Sequence, residues 1–264
     1  IHGGTSIFFQ VYYTSEKQET QPFRAKTEDY RKKFYLISDF ILYELDFAGK
    51  TRYNGSHKYV SKDGSIMSIY LAVFDLDGTL NRTDLFSVPA VQDIQRALGF
   101  PVTSTERIIS SYGAAYQEFM EINFPGGDEQ TALAYRQMIP EREARYMHLA
   151  KPYDGVPELL DRLHHIGIQT AVCSNSSQRY ITSALKGIGI STQIDYVQPL
   201  ENGMENKSQS LAALLQNCSP FKAVMVGDTL YDYKAAQDNH IPFIGCLYGF
   251  RPYELKDVAL TAKQ

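Results

Sequence analysis

Tryptophan is missing from the 264 residues, cysteine occurs three times, and basic side chains are the minority charge, 26 Lys and Arg against 30 Asp and Glu, for a formal net charge of −4. With no basic excess and no basic run, the chain lacks the footprint that binds a nucleic-acid phosphate backbone. Cys173, Cys218 and Cys246 are odd in number and far apart. That spacing excludes a disulfide scaffold and leads us to expect a reducing, cytoplasmic setting. No stretch approaches the roughly 18 apolar residues that cross a bilayer. The longest, Ile69 to Phe74, is strand-sized, and the amino terminus carries no secretory-leader pattern. Neither nucleic acid nor membrane is expected as a partner.

Apolar residues make up 44% and charged residues 21%, the balance of a globular chain able to bury a large core. The length exceeds one compact unit, so a core domain with an insertion or extension is expected. Composition changes near Met67, the first methionine of a chain that opens on Ile1. Residues 1–66 hold 13 Tyr and Phe and 10 basic against 8 acidic residues; residues 67–264 hold 20 Tyr and Phe and 16 basic against 22 acidic. A boundary is therefore expected there, with residues 1–66 an amino-terminal extension. Within it, Ile7 to Tyr13 reads as a strand, and Thr27 to Phe47 as a helix capped by Thr27.

From Ile69 onward, strand-like and helix-like runs alternate. Strands are expected at Ile69–Phe74, Gln169–Cys173, Ile194–Val197, Ala223–Val226 and Pro242–Cys246. Helices are expected at Val156–Ile166, Gln178–Ile188, Ser208–Gln216 and Tyr231–Asn239. This alternation predicts an α/β, Rossmann-like parallel sheet with helices on both faces. Between Leu85 and Lys151 the strand pattern stops. Helical periodicity at Val88–Leu98, Glu106–Met120 and Glu129–Met138 predicts an all-helical insertion after the first strand.

The residues that carry chemistry stand at element ends. Phe74-Asp75-Leu76-Asp77-Gly78-Thr79-Leu80 places two carboxylates beyond the first strand, where ligands of open parallel sheets bind. An Asx turn closing the strand accounts for one Asp but not for both. The strand ending at Cys173 runs into Ser174-Asn175 ahead of a helix, a hydroxyl beside free amides suited to a phosphoryl oxygen; taken alone, Ser174 reads as a helix cap. Lys207 opens the next helical run, where the macrodipole disfavours a cation that lacks an anionic partner. Gly227-Asp228-Thr229-Leu230-Tyr231-Asp232 follows the fourth strand with two acids four apart, hard oxygen ligands of the kind Mg2+ takes. Four strand ends would then each supply one part of a phosphoryl-transfer site.

These motifs, in this order, resemble those of haloacid dehalogenase superfamily hydrolases, in the phosphoglycolate phosphatase-like branch with a helical cap. The likeness runs from Met67 to the carboxyl end. It includes Lys151-Pro152-Tyr153-Asp154-Gly155-Val156 as the return from cap to core, and the stretch from Ala235 to Gly245 after the last motif. Lys207 is followed by Ser208 where the family often has proline, and Asn175 by Ser176 where many members have lysine. The family pattern also continues past Gly249-Phe250 for longer than this chain does, so the chain is expected to be short at both ends.

The resemblance implies a core of residues 67–84 and 152–264 and a cap of residues 85–151. It implies an Mg2+-dependent phosphatase acting on a small phosphorylated metabolite, of phosphoglycolate or sugar-phosphate type, through an aspartyl-phosphate. Asp75 would be the nucleophile and Asp77 the general acid and base. Ser174, Asn175 and Lys207 would bind phosphate. Asp75, the Asp77 carbonyl and Asp228 would hold the metal, with Asp232 in support. A phosphomutase on the same scaffold, or a non-catalytic phosphate-binding regulatory module, are the alternative expectations. Tyr231 and Tyr233 are expected to pack, His164 and His165 to lie at the surface, and Arg142 and Arg145 to form solvated pairs with Glu141 and Glu143.

Overall fold

The computed structural model describes residues 70–255 apart from 115 and 202, together with Phe9–Gln10, Arg24–Ala25 and Ile41. In the amino-terminal segment, β1 (Phe9–Gln10) pairs antiparallel with β2 (Arg24–Ala25), and Ile41 is buried in the main core. The rest of the expected strand at Ile7–Tyr13 and of the expected helix at Thr27–Phe47 lies outside the described residues.

The body of the molecule is a five-stranded parallel sheet. Its strands are β3 (Tyr70–Phe74), β4 (Ile168–Cys173), β5 (Tyr196–Gln198), β6 (Lys222–Gly227) and β7 (Phe243–Gly245), in spatial order β5-β4-β3-β6-β7. The first strand in sequence is thus the central one, and the order reverses on either side of it, the arrangement that opens a ligand crevice at the strand ends. Phe74 is in register with both Val172 and Val226. Asp75, Ser174 and Asp228 therefore leave the sheet at one edge.

Side-chain alternation along the strands decides which helix covers which face. Ala72, Phe74, Val172, Val224 and Val226 pack with Leu160 and Leu163 of α5 (Val156–His165) and Ile181 and Leu185 of α6 (Gln178–Gly187). Leu71, Val73, Ala171, Cys173 and Met225 pack with Leu211 and Leu214 of α7 (Lys207–Cys218) and Ala235 and Ala236 of α8 (Leu230–Asp238). All three cysteines are buried and free. No helix among the described residues is long and apolar enough to cross a membrane.

Between β3 and α5 stand α1 (Asp84–Leu98), α2 (Thr105–Ser111), α3 (Tyr116–Asn123) and α4 (Glu129–Tyr146), around a separate cluster of Val88, Val91, Ile94, Ile108 and Phe124. Two expectations are corrected here. The expected helix Glu106–Met120 is two helices, parted near Gly113, whose φ of +74° is a conformation that ends helices. The expected helix Glu129–Met138 continues to Tyr146 through Pro140. An interior proline removes one hydrogen bond, and packing of α4 against α1 carries the helix past it.

Candidate active site

The turn after β3 is tight. Asp75 stays anchored to the sheet, its N–H donating to the Val226 carbonyl (2.8 Å), and the chain then folds back so that Leu80 and Asn81 both donate to the Leu76 carbonyl. Gly78 sits at φ +90°, and a Cβ there would overlap the Asp228 carboxylate and the Phe250 ring. Glycine is needed both for the left-handed turn and for the close approach of β6.

Asp75 is buried, and the Lys207 ammonium donates to its Oδ1. The same ammonium lies 2.5 Å from Asp232 Oδ1. Asp232 Oδ2 accepts from the Thr229 N–H (3.0 Å) and hydroxyl (2.8 Å), so this acid caps α8 and holds the lysine at once. Asp228 Oδ2 accepts from the Phe250 N–H at 2.7 Å. A Cβ at Gly249 would also strike the Asp228 carboxylate. Asp77 turns into the cleft, where its Oδ1 accepts from the hydroxyls of Thr83 and Tyr180 (2.8 Å for the latter) and from Asn81 Nδ2 at 3.3 Å.

Ser174 is buried and Asn175 exposed, and both line the same cleft. Ser177, not Ser174, caps α6. The Ser174 hydroxyl accepts from the Ser176 N–H at 3.2 Å. Lys207 is the first residue of α7 and follows β5 by a long loop, so it does not come from a strand end as the sequence suggested. The lysine's anionic partners at a helix N-terminus are Asp75 and Asp232.

Burial is the main force on the ionisable groups. It pushes Asp75 up to about 7 against the opposing pull of Lys207, with Asp232 and Asp77 adding to the rise. It raises Asp228 well above the carboxylate range, reinforced by Asp75 and Asp232. Asp77 is also raised by burial, against the hydrogen bonds from Thr83, Tyr180 and Asn81. Burial alone would lower Lys207, but Asp232 and Asp75 outweigh it and hold the ammonium above its usual range.

One ammonium thus faces more carboxylates than it can neutralise. Ligand oxygens of Asp75, Asp228 and Asp232 lie within 4.8 Å of one another. This all-oxygen, net-negative donor set fits a hard divalent cation. Asp75, Asp228 and Asp232 are together the candidate ligands, each with one oxygen already held by Lys207, Phe250 or Thr229.

The cleft measures about 770 Å³. Beyond the motifs, Tyr180, Thr83, Asn81 and Glu143 shape the site, and sequence reasoning missed them. Glu143 is not a solvated partner of Arg142 or Arg145. It lines the cleft, accepts from the Ser87 hydroxyl at 2.9 Å, and is pushed by burial up to about 7. Arg145 pairs instead with Glu141 at 2.5 Å. Tyr231, expected to pack, is exposed at the cleft rim, whereas Tyr233 packs against Phe243. His164 pairs with Asp195 at 2.9 Å, outside the cleft lining.

Residues 72–246 match a family model described as haloacid dehalogenase-like hydrolase. A phosphoglycolate phosphatase of Vibrio vulnificus (strain CMCP6) is 30% identical over 200 residues, covering 69% of this chain and 85% of that protein. One from Thiobacillus denitrificans is 26% identical over 198 residues, covering 70% and 86%. The crystal structure of a predicted phosphatase from Clostridium acetobutylicum superposes with a TM-score of 0.62 at 26% identity, covering 72% of this chain and 91% of that one.

Proposed function

The chain belongs to the haloacid dehalogenase-like hydrolase family, and from that membership we propose that it is a phosphatase hydrolysing a small phosphate monoester through a phosphorylated Asp75. The observation that carries this reading is the meeting of Asp75, Lys207 and Asp228 at one sheet edge, with Asp77 held into the adjoining cleft by three donors. The phosphoglycolate phosphatases among its relatives support the same reaction class.

Asp75 attacks phosphorus in line with the leaving oxygen, so a bond from its carboxylate to phosphorus forms as the bond to the alcohol oxygen breaks. Asp77, whose carboxyl burial raises, gives its proton to the departing alkoxide. Asp77 then takes a proton from water, which attacks the phosphoryl group and restores Asp75 with release of inorganic phosphate. Lys207, Ser174 and Asn175 bind the phosphoryl oxygens, and the ion pairs of Lys207 fix its ammonium beside the nucleophile. Asp75, the Asp77 carbonyl and Asp228, with Asp232 behind, would hold Mg2+, whose positive charge would let a phosphate dianion approach these carboxylates. Residues 85–151 act as a cap that covers the core of residues 67–84 and 152–264 and limits water around the reacting atoms.

The test is Mg2+-dependent phosphate release from a panel of small monoesters, with chelator and Asp75→Asn protein as controls and circular dichroism to confirm folding. Release lost in both controls supports the hydrolase. An isomerised sugar phosphate without free phosphate would make the chain a mutase. Ligand binding without turnover would make it a binding module.

A further inference from the structure

The cleft offers little positive charge to a second anionic group on a substrate. Among its described lining residues the only cation is Lys207, already paired with Asp75 and Asp232. The helical insertion contributes Glu143 and aromatic rings instead. Tyr112 stands edge-on to Phe250 with centroids 5.0 Å apart, and Phe119 and Tyr135 lie 5.3 Å apart, all on the cleft wall. Glu143 Oε1 accepts from Ser87, and the carboxylate has no cationic partner among the described residues. The Tyr112 hydroxyl is buried beside the Ser87 hydroxyl. A sheltered carboxylate, an acceptor hydroxyl and several ring faces together are the elements that bind an organic ammonium.

Building on the phosphatase reading, we propose that the substrate is the phosphate ester of an amino alcohol, its ammonium seated between Glu143 and the rings of Tyr112, Phe119 and Tyr135. A carboxylate in that place would face Glu143 as a like charge in a poorly solvated site. A neutral hydroxyl would find an acceptor but leave the Glu143 charge without a counterion. An ammonium supplies both the donors and the charge. Glu143 is then a specificity residue on a helix that carries none of the motifs.

The experiment compares kcat/KM at about pH 8.5, where Glu143 is ionised, for three small esters that differ away from the phosphate: O-phosphoethanolamine, glycerol 2-phosphate and 2-phosphoglycolate, with wild type and Glu143→Gln. The expected wild-type order is ammonium, neutral, carboxylate, with about tenfold or more between first and last. Glu143→Gln is expected to cut the ammonium-to-carboxylate ratio at least about tenfold, mainly through KM. Equal or better turnover of the carboxylate ester, a neutral ester ranking first, or a ratio unchanged in Glu143→Gln overturns the proposal. If wild type turns over none of the three, the phosphatase reading fails separately. Calorimetric affinities of the same esters then decide the inference, which stands only if the ammonium ester binds about tenfold tighter than the carboxylate one.

Discussion

The sheet-edge wall of the cleft brings Asp75, Asp77 and Lys207 together with Asp228 buried behind them, whereas the helical wall offers Tyr112, Tyr116, Phe119, Tyr135 and the carboxylate of Glu143. The first wall is held by hydrogen bonds and ion pairs between residues more than a hundred positions apart, such as Lys207 with Asp75 and Tyr180 with Asp77. The second is a small apolar cluster with a few polar groups turned inward. On the proposed function, the difference separates two tasks. Handling a phosphoryl group needs charges locked at rigid strand ends, while discriminating leaving groups needs a surface that can change without disturbing them.

The comparison breaks first at Asp75. Asp75→Asn removes the proposed nucleophile and should lower kcat by at least about a thousandfold with the fold intact by circular dichroism. Activity within about tenfold of wild type would show that the sheet edge does not carry the chemistry.

Lys207→Met tests the same wall through stability. Asp75 and Asp232 would remain buried without their counterion, and the denaturant midpoint should report a loss of roughly 3–5 kcal/mol. A midpoint unchanged from wild type would mean that the buried ion pairs do not hold this edge together.

Tyr180→Phe sharpens the boundary between the walls, since this tyrosine lines the cleft yet bonds Asp77. Its hydroxyl favours the ionised carboxylate, so its removal should raise the Asp77 pKa and move the pH–rate profile to higher pH. A drop in kcat of about tenfold should accompany the shift. A drop without movement of the profile would assign Tyr180 to packing alone.

The smallest effect on stability is expected at Glu143, and it depends on pH. Burial holds this carboxyl at about 7, above its unfolded value of 4.5, so the folded state favours the protonated form. Its contribution to stability is full below about pH 4.5 and is lost as pH rises through 7. Ser87 donates to it, and Asp77 adds like-charge repulsion. Glu143→Gln should therefore gain stability relative to wild type between pH 5 and 8. Melting temperatures of both proteins at those two pH values check this, and parallel behaviour would place Glu143 in solvent.

Much of the sheet-edge wall was legible along the chain. Asp75 and Asp77 follow a strand whose five residues are nearly all apolar, and Asp228 follows another, so the rule that ligands bind at strand ends locates them before any coordinates. Helix and strand positions in the sheet domain also followed from periodicity, to within about two residues of the observed ends. Glu143 could not be found this way. It sits between Arg142 and Arg145 on a helix with no buried residues, the local pattern of a solvated face, and only the packing of α4 beside α1 turns it toward Ser87 and the cleft.

The order of strands and helices, the two faces of the sheet and the acids at its edge were determined by the sequence itself, because they rest on local periodicity and on short motifs read within a few residues. Which hydroxyls hold Asp77, which acids share Lys207, and what the helical wall presents to a substrate were decided by tertiary structure alone. Those contacts join residues such as Tyr180 and Asp77, 103 positions apart, or Ser87 and Glu143, 56 apart. Their geometry depends on how whole elements pack, and no local pattern encodes that.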